Sequence, residues 1–202
     1  MVGGWRSAES DDAIQMREGT NYRVFNSVFQ GFGNSGFCIR DAQSILNANN
    51  RLGGDATPSN TLSAEGLIMW SNGGVAGGTD SNYATCGGGS TVALNKGFFE
   101  TAGFNNMLAD PGFAASAFNA GTQASPPDFT LAAMPAGYTA FDISTVGFDG
   151  LDLVAPTDGR TLVDTDYAGA IAPGTAMTAA WYYGWTVWAP AGEDSRPNAD
   201  GS

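Results

Sequence analysis

Two charged pairs recur with the same spacing near the start of the chain. Arg17 and Glu18 are followed 23 residues later by Arg40 and Asp41. If the intervening chain makes one turn of a stacked structure, Arg17 lies beside Arg40 and Glu18 lies beside Asp41. Such an ion-pair ladder could line a groove for an acidic glycan, or it could only stabilise neighbouring turns. The sequence leaves both interpretations open.

A second group of charged residues lies further along the chain and consists of three carboxylates, Asp149, Asp152 and Asp158. Calcium takes six to eight oxygen ligands, which clustered carboxylates and the carbonyls of glycine-rich loops can supply. The spacing matches no EF-hand loop. These residues could therefore bind calcium, or they could be solvated carboxylates on the surface. We expect no other cofactor.

The chain contains no histidine, which removes the commonest general base and the commonest metal ligand. No phosphate-binding loop, nucleophile elbow or dinucleotide fingerprint is present despite the 29 glycines. The sequence therefore assigns no catalytic residue and disfavours an enzyme.

The most unusual local feature is the aromatic run WYYGWTVW. Alternation along a strand would place several of its rings on one face. That face could cover the protein's own core, contact another subunit or stack on sugar rings. The candidate interface residues are Trp181, Tyr183, Trp185 and Trp188.

Two cysteines, Cys38 and Cys86, have 47 residues between them. This spacing fits neither a zinc site nor a thioredoxin-type motif. The sequence allows either one disulfide or two buried thiols. A chain that is acidic, rich in glycine and poor in lysine resembles exported proteins, and this favours the disulfide.

The formal net charge of −12 comes from 20 acidic and 8 basic residues. Such a protein repels nucleic acid and anionic membrane surfaces, so we expect no nucleic-acid partner. No apolar stretch is long enough for a membrane span, and we expect no membrane insertion. The first residues lack the pattern of a signal peptide. We therefore expect an extracellular or cell-surface protein that is a mature or truncated portion of a longer precursor.

Short apolar segments predict the strands that position these candidate site residues. Segments of strand length begin at residues 13, 36, 66 and 91, which gives offsets of 23, 30 and 25 residues. Segments rich in glycine and asparagine separate them, as is typical of turns and loops. Repeats of this length are typical of a solenoid with one strand set in each coil.

Two runs, residues 10–41 and 107–137, resemble secreted bacterial right-handed parallel β-helix proteins of the broad pectate-lyase-like superfamily. The second run carries the sequence ADPGF and then PPDFTL followed by AMPAG, which resembles the closing segment of such proteins. Met134 departs from the serine usual there. The resemblance implies an all-β fold, a right-handed parallel β-helix (solenoid) with an irregular C-terminal β cap.

These observations lead to a set of expectations. Residues 1–137 would form the coils, 138–192 the cap and 193–202 a flexible tail. The first functional hypothesis is an extracellular structural or adhesive protein that associates with itself into an oligomer or filament. The alternative, which rests on fold analogy, is a carbohydrate-binding or polysaccharide-lyase-like protein with an extracellular glycan as its partner.

Overall fold

A computed structural model describes residues 11–55, 57, 61–113, 128–145, 158 and 163–181. Within these residues the strands are two or three residues long: β1 (Gln15–Met16), β2 (Arg23–Phe25), β3 (Val28–Gln30), β4 (Cys38–Ile39), β5 (Ser63–Glu65), β6 (Ile68–Trp70) and β7 (Met107–Leu108). Two helices complete the set, α1 (Ala42–Leu52) between β4 and β5 and α2 (Val92–Phe99) between β6 and β7. Short 3₁₀ turns lie at Asp80–Asn82, Ile143–Thr145 and Met177–Ala179.

The strands pair in parallel and form three small sheets. One sheet contains β1 and β4, the second contains β2 and β5, and the third has the order β3-β6-β7. In the first sheet Gln15 lies opposite Cys38, and in the second Phe25 lies opposite Glu65. Parallel strands need a crossover connection, which the chain supplies here with α1, α2 and glycine-rich loops.

The predicted all-β fold, a right-handed parallel β-helix with a β cap, is wrong. The described residues form small parallel sheets of two or three strands together with two α-helices, and no long solenoid stacking is evident. The described residues after position 128 contain 3₁₀ turns and no strand. The division at residues 137 and 192 stays a prediction.

Helix α1 extends into residues 47–55, an asparagine- and glycine-rich segment that the sequence predicted to be a turn or loop. Its start is fixed by Asp41, whose side chain accepts a hydrogen bond from the backbone N–H of Ser44. The buried face consists of Ser44, Asn47 and Ala48, which is the spacing of one helical face. Two of these three buried residues are polar, whereas the apolar Leu46 and Leu52 of the same helix are exposed.

Helix α2 corrects the strand that was expected at residues 91–94. Thr91 caps the helix, since its hydroxyl accepts from the backbone N–H of Leu94 at 3.0 Å. The helix then buries Asn95, Phe98 and Phe99. The apolar segment therefore begins a helix, because a capping threonine stands directly before it.

The main core lies between the strands and the two helices and is rich in aromatic rings. Phe37 lies stacked 5.9 Å from Phe98 and is tilted at 5.8 Å from Phe99. Phe104 meets Phe98 edge to face at 5.3 Å. Pairs of this geometry add stability beyond the area that they bury. A disulfide joins Cys38 of β4 to Cys86, which confirms the predicted bridge.

Buried asparagines hold the turns between these elements. Asn72 donates to the carbonyl of Phe29 and accepts from the N–H of Phe32. Asn95 accepts from the N–H of Ile39 at 2.9 Å, on the side of β4 that faces away from β1. Buried backbone groups need hydrogen-bond partners. These asparagine side chains make the hydrogen bonds that a neighbouring strand would otherwise make.

Candidate functional site

A cavity of about 710 Å³ lies over the first three strands. Its floor is formed by β1, β2 and β3, and its rim includes the backbone at Gly169. Apolar side chains line most of it, with several polar ones: Ala13, Ile14, Gln15, Met16, Arg17, Thr20, Tyr22, Val24, Phe25, Asn26, Ser27, Val28, Phe29, Gly169 and Ala170. A cavity of this size and character is typical of a binding site.

The strands beneath the cavity pair on one side only. Within the described part of the chain, β1, β2 and β3 have β4, β5 and β6 as their respective strand partners and no strand on the other side. The carbonyls of Ile14 and Met16 accept from Cys38 and Arg40. Backbone groups of successive strand residues point to opposite sides, so Gln15 directs its N–H and C=O away from β4 and towards the cavity.

The turn at Asn26, between β2 and β3, fixes the rim of the cavity. Asn26 has a φ of 43°, and its side chain makes hydrogen bonds with both the N–H and the carbonyl of Phe141, at 2.7 and 2.9 Å. Its own carbonyl accepts from the N–H of Gly169 at 2.7 Å. These bonds hold the later part of the chain against the edge of the cavity.

Gly66 lies against the turn at Asn26 and has to be a glycine. Gly66 has a φ of 69°, and a Cβ at this position would lie 2.2 Å from Oδ1 of Asn26, which is much too close for atoms that are not bonded. Glycine is therefore required at position 66 both for its backbone conformation and for space.

Charge is sparse in the cavity although the protein is strongly acidic. Arg17 is the charged residue among the described lining residues, and no described carboxylate joins it. Tyr22 is 60% exposed at the mouth. The paired carboxylates that glycoside hydrolysis requires are absent from this described lining, whereas its apolar surface favours the binding of a partner.

Of the four residues in the predicted ladder, Arg17 lies beside Arg40 and Glu18 lies beside Asp41. The register of β1 on β4 continues the 23-residue offset and sets Arg17 beside Arg40 on the side that faces away from the core. Asp41 accepts from the backbone N–H of Glu18 and does not pair with an arginine. The ion pair between Arg17 and Glu18 is long, at 3.8 Å, and both side chains are exposed.

The Asp41 carboxyl serves as a connector between the loop after β1 and the start of α1. Its backbone has a φ of 64° and a ψ of 159°, a region that non-glycine residues rarely adopt. Burial opposes ionisation, but hydrogen bonds from Ser44, Glu18 and Gly19 outweigh it and hold the pKa of this carboxyl below its ordinary value.

We expect Asp41 to make stability depend on pH. Because its pKa is lower in the folded state, its contribution is complete above the unfolded pKa of about 4 and is lost as the pH falls through the lower folded value. The variant Asp41→Asn keeps a side chain that tolerates positive φ but cannot ionise. Urea unfolding between pH 6 and about 2 should show a smaller acid-induced loss of stability in this variant than in the wild-type protein.

The exposed carboxylate of Asp110 provides a matched control for this experiment. Asp110 is exposed and accepts one hydrogen bond, from the backbone N–H of Gly112 two residues further along the chain. Asp110→Asn therefore removes a carboxylate without breaking a contact between distant segments, and a smaller acid-induced loss of stability in Asp41→Asn alone would assign the effect to Asp41. Identical profiles for Asp41→Asn and the wild-type protein would contradict the assignment.

Of the remaining predicted site residues, the structure describes Trp181 and Asp158. Trp181 is exposed, and Tyr183, Trp185 and Trp188 lie outside the described residues. Asp158 is exposed, whereas Asp149 and Asp152 also lie outside. No group of three or more cysteine or acidic side chains that could hold a metal ion occurs among the residues that the structure describes. Calcium binding stays a prediction.

Sequence reasoning missed the cavity itself. Residues 22–29 are an apolar segment of strand length, but no pattern in that segment shows whether a neighbouring strand covers it. Pairing between distant segments decides that point, and it is visible only in the fold. In the described part of the chain, no helix is long and apolar enough to cross a membrane.

No protein-family model, no curated protein and no solved structure matches this chain.

Proposed function

We propose that this chain is an extracellular, non-enzymatic structural or adhesive protein that associates with itself through the edge of β1 that faces the cavity. The observation that carries the proposal is the cavity over β1, a strand that has β4 as its strand partner among the described residues and no described strand on its other side. An exposed strand edge is a ready template for another polypeptide strand. Extension of this sheet by a partner would fill the apolar cavity and satisfy the backbone groups at the edge.

The disulfide supports the extracellular part of the proposal. Cys38 and Cys86 are joined, and disulfides persist mainly in oxidising compartments. The composition agrees, because exported proteins are often acidic and poor in lysine. A protein of this kind would need its bridge to remain stable outside the cell.

One observation favours a second candidate function, the binding of an extracellular glycan. Tyr22 is exposed and lines the same cavity as the polar residues Gln15 and Thr20. An exposed aromatic ring with polar neighbours can stack on a sugar and bond its hydroxyl groups. A glycan array and a lyase assay on acidic polysaccharides test this candidate directly.

We expect the variant Tyr22→Lys to weaken self-association. A lysine in the cavity lining opposes the addition of a strand there, because its charge would have to be buried. The backbone bond from Ser63 to the carbonyl of Tyr22 does not depend on the side chain, so the fold should persist. Sedimentation velocity should report a dissociation constant raised about tenfold or more.

The matched control is Leu46→Lys, which changes another exposed apolar residue, 49% exposed, on α1. Leu46 is not a lining residue of the cavity, so this variant should associate like the wild-type protein. A wild-type protein that stays monomeric at every accessible concentration would refute the proposal. A monomer that cleaves polygalacturonate would support the glycan candidate instead.

A further inference from the structure

Two arginines lie side by side on the exposed face of the first sheet. The backbone N–H of Arg40 donates to the carbonyl of Met16 at 2.7 Å, which continues the register of β1 on β4 and sets Arg17 next to Arg40. Both arginines are exposed. Like charges on neighbouring strands repel each other, and an anion bound between them would relieve that repulsion.

The other cations of the described residues already have close partners. Arg51 and Lys96 lie 2.6 and 2.7 Å from carboxylate oxygens, and Arg23 donates to two hydroxyl groups. Arg17, in contrast, lies 3.8 Å from Glu18. The described residues give the side chain of Arg40 no ion pair. Arg17 and Arg40 are therefore the described cations with room for an anion from outside the chain.

Two carboxylates lie near these arginines, and they leave most guanidinium donors free. Asp41 accepts from the backbone N–H groups of Ser44 and Glu18. Glu18 turns the chain with a φ of 61°, its side chain is 81% exposed, and it is not a lining residue of the cavity. Exposed pairs such as that of Arg17 with Glu18 contribute little. Because a guanidinium carries several N–H donors, Arg17 can still bind a second anion.

Arg17 also lines the cavity over the first three strands, where most of the other lining is apolar. Side chains such as Ile14, Val24 and Phe25 form this apolar part. The cavity volume of about 710 Å³ is within the range of about 300–1,000 Å³ that encloses a small organic ligand. The described lining therefore joins an apolar chamber to one cationic group.

We infer that this cavity binds an amphiphilic carboxylate, a molecule with one alkyl chain that ends in one carboxylate. The alkyl chain occupies the apolar chamber, and the carboxylate accepts hydrogen bonds from Arg17, with the charge of Arg40 beside it. Arginine binds carboxylates well because two parallel N–H groups match the two oxygens. The inference goes beyond the proposed self-association, although the ligand and a second copy would use the same face.

An acidic sugar fits this lining less well than an alkyl carboxylate. A sugar ring carries many hydroxyl groups, and a hydroxyl that is buried without a hydrogen-bond partner costs free energy. Polar groups of the lining are already engaged within the chain, since Gln15 donates to Asp12 at 2.9 Å and Ser27 donates to the carbonyl of Phe25 at 2.8 Å. An alkyl chain needs no such partner and gains by leaving water.

Calorimetric titration of the wild-type protein with dodecanoate, below the concentration at which it forms micelles, tests the inference. We expect saturable binding of one molecule per chain. Decanoate has two CH₂ groups fewer and should bind about 15-fold more weakly, because each buried CH₂ changes the dissociation constant about fourfold. Decanol has an apolar chain like that of decanoate but no charge, and it should bind about tenfold more weakly than decanoate. Non-specific adsorption would favour decanol instead, since a net charge of −12 repels anions.

The variant Arg17→Gln locates the carboxylate. It should raise the dissociation constant of dodecanoate about tenfold and leave that of decanol unchanged. The matched control is Lys96→Gln, which removes the same charge from an exposed pair outside the cavity lining and should change neither value. Circular-dichroism spectra check the fold of both variants. If Arg17→Gln fails to fold, the comparison of decanoate with decanol on the wild-type protein still decides the question.

The outcomes separate this inference from the proposed function. Equal affinities for decanoate and decanol, or binding that does not saturate, would refute the carboxylate site. Tighter binding of digalacturonate than of dodecanoate would refute it too and would assign the cavity to an acidic glycan. Sedimentation velocity without ligand measures self-association separately. A monomeric protein that binds dodecanoate overturns the proposed function alone, and a self-associating protein that does not bind dodecanoate overturns this inference alone.

Discussion

Replacement of Arg51 by methionine should lower the free energy of unfolding by about 3–5 kcal/mol. Glu65 of β5 is 1% exposed, and both Nε and Nη2 of Arg51 donate to its Oε1, at 3.0 and 2.6 Å. The guanidinium also lies 5.1 Å from the ring of Phe104, a cation–π contact. The variant would leave a carboxylate buried without its cation. Urea unfolding monitored by circular dichroism measures the loss.

The exposed ion pair between Lys96 and Asp80 gives the matched control. Its atoms are 2.7 Å apart, as close as those of the buried pair, but solvent surrounds both side chains. Lys96→Met should therefore lower the free energy of unfolding much less than Arg51→Met does. Equal losses for Arg51→Met and Lys96→Met would contradict the role given to burial. The double variant Arg51→Met, Glu65→Leu should recover much of the loss, because no uncompensated charge remains.

Reduction of the disulfide should lower the free energy of unfolding by about 4 kcal/mol. Cys86 lies 48 positions after Cys38 in the chain, and a bridge of that span removes much of the freedom of the unfolded state. The bridge also fixes the segment before α2 to β4. Total stabilities of small domains are about 5–15 kcal/mol, so the loss is a large part of the whole. Urea unfolding with and without reductant measures it.

The double variant Cys38→Ala, Cys86→Ala is the control for this experiment. Its unfolding should be insensitive to reductant, whereas the wild-type protein should unfold at a lower urea concentration once reduced. A further check is alkylation of the unfolded protein. Two thiols that react without prior reduction would show that the bridge does not form, and identical urea profiles would show that it does not stabilise the fold.

The sequence alone favours a disulfide between Cys38 and Cys86, but it gives no sign of the ion pair between Arg51 and Glu65. The cysteines could be paired from their number and the exported character of the composition, since one pair permits a single connection. Nothing in the sequence marks Arg51 and Glu65 as partners. They are 14 residues apart, across the end of α1 and the turn into β5, and their contact depends on how that segment folds back.

Several local features could be predicted from the sequence. The segments around β1, β2, β3, β4 and β6 were expected to be extended, because apolar residues alternate there between turns rich in glycine and asparagine. The spacing between Arg17 and Arg40 gave the offset of β1 on β4. These features are local or depend on a repeated spacing, which is information that a single chain carries in its order of residues.

The helices show where this reasoning fails. The segment of α1 contains three asparagines, which favour turns in short peptides. Here Asn47 donates to the carbonyls of Gly19 and Thr20 at 3.0 and 2.9 Å, and these tertiary bonds stabilise the helix. Local propensity is a weak indication whenever contacts to distant residues compensate for it.

The amino-acid sequence by itself determined the acidic composition, the extended segments and the pair of cysteines. Only the tertiary structure decided that two helices interrupt the described strands, that Glu65 is buried against Arg51, and that β1 has no described strand on the side that faces the cavity. The reason is physical. A backbone hydrogen bond between strands joins residues far apart in the chain, so the presence or absence of a neighbouring strand leaves no pattern in the strand's own sequence.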